Sequence, residues 1–247
     1  MNAPLNVFTS HRSRRDFTPQ PIPEALLAQV FEATRRAPTW NNAQNVSWIT
    51  VTEPAAKAEL ARLSGRQAQI ERAPVFAVLC IDFHKTAAAC ARHGVEQRVQ
   101  DNLNGLLIGV LDAGILAGTM MNAARALGLA VCPVGGVRRE PQQVIELLGL
   151  PRLVMPMVGV CMGYAPACAP AQPLKPRLPL TSLWHRERYD DASLDADIAR
   201  LDAETLAYST ALGRADAPSW SATMAAKYAS TGYLQVADTL KQQGFVF

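Results

Sequence analysis

Apolar positions along the chain follow two periods. From Glu24, residues Leu26, Leu27, Val30 and Phe31 share one helical face, and the pattern predicts a helix from Pro23 to near Ala37, because Pro38 lacks the N–H needed to continue it. A polar loop, Thr39 to Asn45, follows. Trp48 to Thr52 reads as a strand from its aromatic and β-branched content, Ala55 to Leu63 as a helix, and Val75 to Ile81 as a strand buried on both faces. A long helix is predicted over Gln100 to Leu127, with Gly128 as its C-cap. Ala130 to Val134 is a short strand ending at Gly135-Gly136, Gln142 to Leu148 a helix stopped by Gly149, and Leu153 to Met162 a strand interrupted by Pro156. Prolines at 166, 170, 173, 176 and 179 then define an extended arm from Tyr164 to Pro179. Leu194 to Leu212 and Ser219 to Gln243 read as two amphipathic helices. Strands alternating with helices over the first two-thirds predict an α/β or α+β fold with a helical C-terminal extension, and no internal repeat is visible.

The stretch Leu103 to Leu129 is apolar enough to suggest a membrane span, but Asp112 and Arg125 interrupt it, and no uncharged run reaches the roughly 18–20 residues a span requires. It reads instead as a buried helix. Gly105, Gly109, Gly114 and Gly118 form two small-x-x-x-small pairs that let another helix approach, either within the chain or from a second subunit, and a dimer interface is a natural source of the second packing side. Of the 247 residues, 49% are hydrophobic and 18% charged, and the formal net charge of +3 argues against a dedicated nucleic-acid coat. Five cysteines (Cys80, Cys90, Cys132, Cys161 and Cys168) include no C-x-x-C pair, which points away from a disulfide framework or structural zinc and towards reduced thiols in a cytoplasmic protein. The first ten residues lack the apolar core of a secretory signal.

No G-x-S-x-G, H-E-x-x-H, G-x-x-x-x-G-K-[ST] or G-x-G-x-x-G occurs, so hydrolase, zincin, P-loop and Rossmann readings lack their local signatures, and no acid–base or nucleophile constellation is evident. Three clusters remain. His11-Arg12-Ser13-Arg14-Arg15 gathers cationic donors and a hydroxyl suited to an anion such as phosphate, although a solvated basic turn would explain the same residues. Lys175-Pro176-Arg177 presents basic residues on the proline-stiffened arm, or is simply a basic linker. Pro38-Thr39-Trp40-Asn41-Asn42-Ala43-Gln44 is dense in amides that match a heterocycle edge. Val134-Gly135-Gly136-Val137-Arg138 lets backbone N–H groups approach a flat ring, and turn formation alone would account for either loop.

In this order the clusters resemble the nitroreductase-like FMN flavoprotein family, most closely its NADPH:FMN oxidoreductase and oxygen-insensitive major nitroreductase branch. The motifs are His11-Arg12-Ser13-x-Arg15, Pro38-Thr39-x-x-Asn42-x-Gln44, Gly65-x-Gln67, Val134-Gly135-Gly136-Val137-Arg138 and Leu174-Lys175-Pro176-Arg177-Leu178-Pro179, with Trp184-His185-x-x-x-Tyr189 and the helical tail also similar. The resemblance implies an α+β fold, a central mainly antiparallel sheet flanked by helices, in an intertwined homodimer. Residues 1–180 would form the FMN-binding core and residues 181–247 a C-terminal helical extension of the same domain. His11, Ser13, Lys175 and Arg177 would hold the FMN phosphate with Arg12 near it. Arg15 would lie at the flavin N1–O2 edge, Thr39, Asn42 and Gln67 at the ribityl chain or ring, and Val134, Gly135 and Gly136 near N5 and O4. Trp40, Asn41 and Arg214 would face the substrate or nicotinamide.

The chain departs from that branch in places. Trp40 stands in a loop that is often Ser-rich there, Pro133 removes an N–H beside Val134, and the loop Leu212 to Pro218 carries one arginine and an acid, which leaves selection of the NADPH 2′-phosphate open. The implied activity is ping-pong hydride transfer from NADPH or NADH through flavin N5 to a nitroaromatic, quinone or flavin acceptor, with no metal, nucleic acid or membrane involved. A nitroreductase-fold enzyme for one specific metabolite, or a non-catalytic flavin-binding protein, would carry the same motifs.

Overall fold

A computed structural model describes residues 3–167, 173–230 and 232–246. The described residues up to 167, together with 233–246, form one compact unit, and those between 173 and 232 form a second.

The first unit begins with α1 (Ala3–Thr9), α2 (Glu24–Thr34), β1 (Val46–Val51), α3 (Pro54–Leu63), α4 (Gln69–Arg72) and β2 (Val75–Asp82). It continues through α5 (His84–Ala91), α6 (Leu103–Ala126), β3 (Ala130–Val134), α7 (Pro141–Leu148) and β4 (Val154–Gly163). The sheet order is β1-β2-β4-β3 and every pairing is antiparallel, which settles the layer question in favour of α+β. β2 lies at the centre, and all eight of its residues are buried.

Period-two alternation explains the burial on both faces of β2. Val75, Ala77, Leu79 and Ile81 point to a core shared with Ala113, Leu116, Ala117 and Met120 of α6. Phe76, Val78 and Cys80 point to the opposite core, with Leu60 and Leu63 of α3 and Val144 of α7. Gly159 of β4 makes room for Phe76, since a Cβ there would lie 2.1 Å from the ring. The register between β2 and β4 slips where Pro156 meets Cys80, as expected where a proline interrupts a ladder.

The four glycines of α6 divide into two pairs. Gly105 packs under the Val99 carbonyl and Gly109 against Ile81 and Phe83, whereas a Cβ at Gly114 or Gly118 would meet nothing within 4 Å. Leu103, Leu107 and Leu111, on the same stripe as Gly114 and Gly118, are more than half exposed. Cys80, Cys132 and Cys161 are buried free thiols and Cys90 is half-buried, while Cys168 lies outside the described residues. Burial pushes the Cys80 and Cys161 thiols well above their ordinary range.

The second unit contains α8 (Leu194–Ala211) and α9 (Trp220–Tyr228). The continuous helix expected from Ser219 to Gln243 is broken: α9 ends at Tyr228, Gly232 takes a φ of 66°, and α10 (Val236–Gln242) begins anew in the first unit. Beyond α10, Phe245 packs against Phe83 with ring centroids 5.8 Å apart.

Candidate functional site

After α1 the chain runs through residues 11–15 without regular secondary structure, and the Arg14 N–H donates to the Val131 carbonyl at 2.9 Å, laying this segment beside β3. His11 and Ser13 are half-buried and Arg15 is exposed. Arg12, Arg14 and Arg125 line a hollow of about 200 Å³ beside the 128–131 backbone. Arg125 reaches back to α1, donating through Nη1 to the Val7 carbonyl and through Nη2 to Ser10 Oγ, the latter at 2.9 Å. Burial, reinforced by the charge of Arg12, lowers the pKa of its guanidinium.

The polar loop forms a one-turn 3-10 helix over Trp40–Asn42, with left-handed φ values of 47° at Asn41, 56° at Asn42 and 53° at Gln44. Asparagine tolerates this region better than most side chains, which explains the paired amides. Two bonds hold the entry to the loop: the Trp40 N–H is shared by both carboxylate oxygens of Asp112 at 3.1 Å, and the Gln44 N–H donates to Thr39 Oγ1 at 3.1 Å. At the exit, the Asp82 N–H donates to the Asn45 carbonyl at 2.8 Å. Thr39, Asn42 and Gln44 line a polar hollow of about 300 Å³ with Arg36 and Lys85. Trp40, Ala43 and Asn45 border a more apolar one of about 310 Å³ with Phe83 and Cys90.

Two further loops meet at the end of β3. Gly136 sits so close to the 64–67 turn that a Cβ would lie 2.3 Å from the Ser64 carbonyl oxygen and 2.7 Å from Gln67 Nε2. Gly135 has open space, its nearest potential neighbour being Arg138 Nη2 at 3.5 Å. Gln67 donates to the Ser64 carbonyl at 3.2 Å and accepts from Gln69. The sequence reading had no role for Lys57, which is buried on α3. Its Nζ donates to the carbonyls of Ala73 at 2.7 Å and Glu71 at 3.2 Å, fastening the segment that follows Gln67, and desolvation lowers its pKa.

In the second unit, Lys175, Arg177 and Arg214 line one cavity of about 580 Å³ with Tyr208 and Trp220. The first two are expected at a phosphate and the third at the nicotinamide, and the fold brings all three to the same walls. His11 and Ser13 belong to the first unit, so the phosphate they would share with Lys175 and Arg177 is an expectation of the motif order.

Residues 8–164 match the Nitroreductase family and residues 175–247 match the Nitroreductase family, C-terminal domain. The chain belongs to the nitroreductase family. It is 36% identical to FMN reductase [NAD(P)H] of Bacillus subtilis strain 168 over 99% of this chain and 98% of that protein. The solved structure of B. megaterium NfrA2 superposes with a TM-score of 0.95 at 35% identity, covering 100% of this chain and 99% of the other. NADPH:FMN oxidoreductase from Vibrio harveyi, solved as a complex with NAD+, gives 0.87 at 31% identity, with 98% of each chain covered. In this nitroreductase-family chain the motif residues of the first unit are carried by four segments: 11–15 beside β3, Val134-Gly135-Gly136 at the end of β3, the 64–67 turn against Gly136, and the 39–45 loop on α6.

Proposed function

We propose that this chain is an FMN-dependent NAD(P)H oxidoreductase working by ping-pong hydride transfer. The observation that carries the reading is the meeting of Gly136 with the Ser64–Gln67 turn at the end of β3, with Gly135 left open beside it and the cationic 11–15 segment running alongside the same strand. This donor set fits FMN. Arg12, Ser13 and His11 suit its phosphate, Arg15 suits the electron-rich N1–O2 edge, and Gln67, Thr39 and Asn42 offer amide and hydroxyl partners to the ribityl chain and ring. Lys175 and Arg177 are further phosphate ligands on the strength of their motif, and Trp40, Asn41 and Arg214 contact the nicotinamide or acceptor.

When bound, FMN supplies two-electron exchange at N5, between NAD(P)H as donor and a nitroaromatic, quinone or flavin as acceptor. The protein's share is binding and electrostatics. Arg15 favours negative charge at the N1–O2 edge, Gly135 admits a flat ring close to the backbone, and the Asp112-anchored loop holds Trp40 and Asn41 at the substrate side. Such a task needs no catalytic triad, in keeping with the lack of acid–base motifs.

The working unit is a homodimer. Support comes from the α6 stripe of Leu103, Leu107, Leu111, Gly114 and Gly118, apolar and open in the single chain. A cytoplasmic location is supported by the buried free thiols Cys80, Cys132 and Cys161. α6 is long and apolar enough to cross a membrane, but a third of that window is buried inside the protein. The deciding experiment is anaerobic: the FMN-loaded protein bleaches with NADH or NADPH and regains its colour with an acceptor. A colourless protein that takes up no FMN overturns the flavoprotein reading, and a yellow protein that neither nicotinamide bleaches overturns the reductase reading.

A further inference from the structure

We infer that Asp112 and Arg125, the two charges in the otherwise apolar helix α6, are positioning residues that fix two FMN-contacting segments, one at the middle of that helix and one at its C-terminal end. The inference rests on the FMN reading above. Asp112 is 2% exposed, and among the described residues its hydrogen bonds go to one donor, the Trp40 N–H, which both carboxylate oxygens approach at 3.1 Å. A buried carboxylate is costly in an apolar helix unless a specific partner offsets its desolvation. The partner here is the first N–H of the turn that carries Thr39, Asn41 and Asn42, a segment with three non-glycine residues at positive φ that local backbone preference alone would not hold.

Arg125 performs the matching task 13 positions further along α6. Its fork takes the Val7 carbonyl in the last turn of α1, and it takes Ser10 Oγ, which in turn donates to the Asn6 carbonyl. That fixes the residue immediately before His11-Arg12-Ser13. The remaining positions of α6 are apolar, small or uncharged, so these two are its charged side chains, and each makes charge-assisted hydrogen bonds to neutral groups elsewhere in the first unit. Because α6 also carries the open stripe of the proposed dimer, the helix ties subunit packing to the geometry of both segments.

The test is FMN affinity, measured by flavin fluorescence on protein stripped of FMN and re-titrated, with thermal stability and oligomeric state recorded for every variant. For Asp112 the expected order of affinity is Asp, then Asn, then Ala. D112N weakens FMN about threefold because a neutral amide oxygen still accepts from Trp40, and D112A about tenfold because the acceptor is gone. R125K and R125M follow the same order, with kcat at saturating FMN little changed in R125M. Amide exchange over residues 39–45 rises in D112N and D112A and stays unchanged in the Arg125 variants. M120A, which hollows the core on the same helix, lowers Tm and leaves FMN affinity unchanged. Equal FMN affinity in every folded Asp112 and Arg125 variant overturns the inference, as does a loss in M120A as large as that in D112A. Should D112A or R125M fail to fold, D112N and R125K decide alone. A wild-type protein that binds no FMN overturns the underlying function instead, and in that case exchange at 39–45 still reports whether Asp112 holds the loop.

Discussion

Gly136 and Gly135 are adjacent and alike in sequence, yet an added methyl group meets opposite surroundings at the two positions. In Gly136→Ala the new Cβ would stand 2.3 Å from the Ser64 carbonyl oxygen and 3.1 Å from its carbon, both backbone atoms, and 2.7 Å from Gln67 Nε2. A normal carbon–oxygen contact is about 1 Å longer, and the obstacle is main chain, so either the 64–67 turn or the end of β3 must move. Overpacking of this kind costs about 1–3 kcal/mol. In a chain of 247 residues each kcal/mol lowers Tm by about 2–4 °C, so a loss of about 2–12 °C is expected. In Gly135→Ala the methyl group would meet only a guanidinium nitrogen at 3.5 Å, an ordinary contact, so Tm should stay within about 2 °C. If a flat ring lies over Gly135, that same methyl group enters its space, and FMN affinity should fall about tenfold or more. Differential scanning calorimetry on the FMN-free protein and fluorescence titration with FMN separate the two effects. A wild-type Tm in Gly136→Ala would refute the packing argument, and unchanged FMN affinity in Gly135→Ala would remove that glycine from the flavin site.

Lys175→Ala with Arg177→Ala should weaken FMN retention by at least about a hundredfold, since each of the two charge-assisted phosphate contacts is worth roughly 1.5–3 kcal/mol, and undiminished affinity in the double variant would end their phosphate role. Arg214→Ala should lower the NADPH/NADH ratio of kcat/KM about fivefold, in keeping with one exposed charge pair, and a constant ratio would detach Arg214 from the nicotinamide. Leu107→Glu with Leu111→Glu puts two carboxylates on the open stripe of α6 and should yield a monomer by light scattering; an unchanged mass would move the interface elsewhere. Asp202 accepts from Ser221 Oγ and, at 2.8 Å, from the Ser221 N–H, and these bonds, the hydroxyl's foremost, hold its carboxyl below the ordinary value. Because the folded pKa is the lower one, this contribution to α8–α9 packing is complete above the ordinary carboxyl range and is lost as pH falls through the folded value. Circular dichroism against pH should therefore show a shallower acid dependence in Ser221→Ala than in wild type.

How much of this was legible in the sequence varied with the kind of interaction. β2 was readable because burial on both faces leaves an unbroken apolar run, and α7 was readable because Gly149, at a φ of 61°, closes it. α5 gave no signal: it is built largely of small alanines, and none of its residues is buried, so no amphipathic face marks it. The gap between α9 and α10 was hidden because Gly232 sits inside a pattern that otherwise continues at helical spacing. The site motifs could be read as local strings. Lys57 could not, because a lysine on a surface-type helix looks alike whether its Nζ faces water or the carbonyls of Glu71 and Ala73.

Asp112 shows where that limit lies. An acid within an apolar helix is an anomaly that any hydropathy pattern exposes, and it was enough to argue against a membrane span. Its partner is the N–H of Trp40, 72 residues away, and backbone groups carry no mark in a sequence, so the cause of the anomaly could be reached only through the fold. The same holds in reverse for the glycines of α6. Two small-x-x-x-small pairs on one helix suggest one helix contact, but Gly105 and Gly109 are accounted for by Val99, Ile81 and Phe83 of the same chain, and Gly114 and Gly118 are not. The requirement for a second packing side therefore narrows from the whole helix to the stripe of Leu103, Leu107, Leu111, Gly114 and Gly118, and Asp112, next to Leu111 in sequence but turned inward, marks the boundary between the face that meets its own chain and the face left for another.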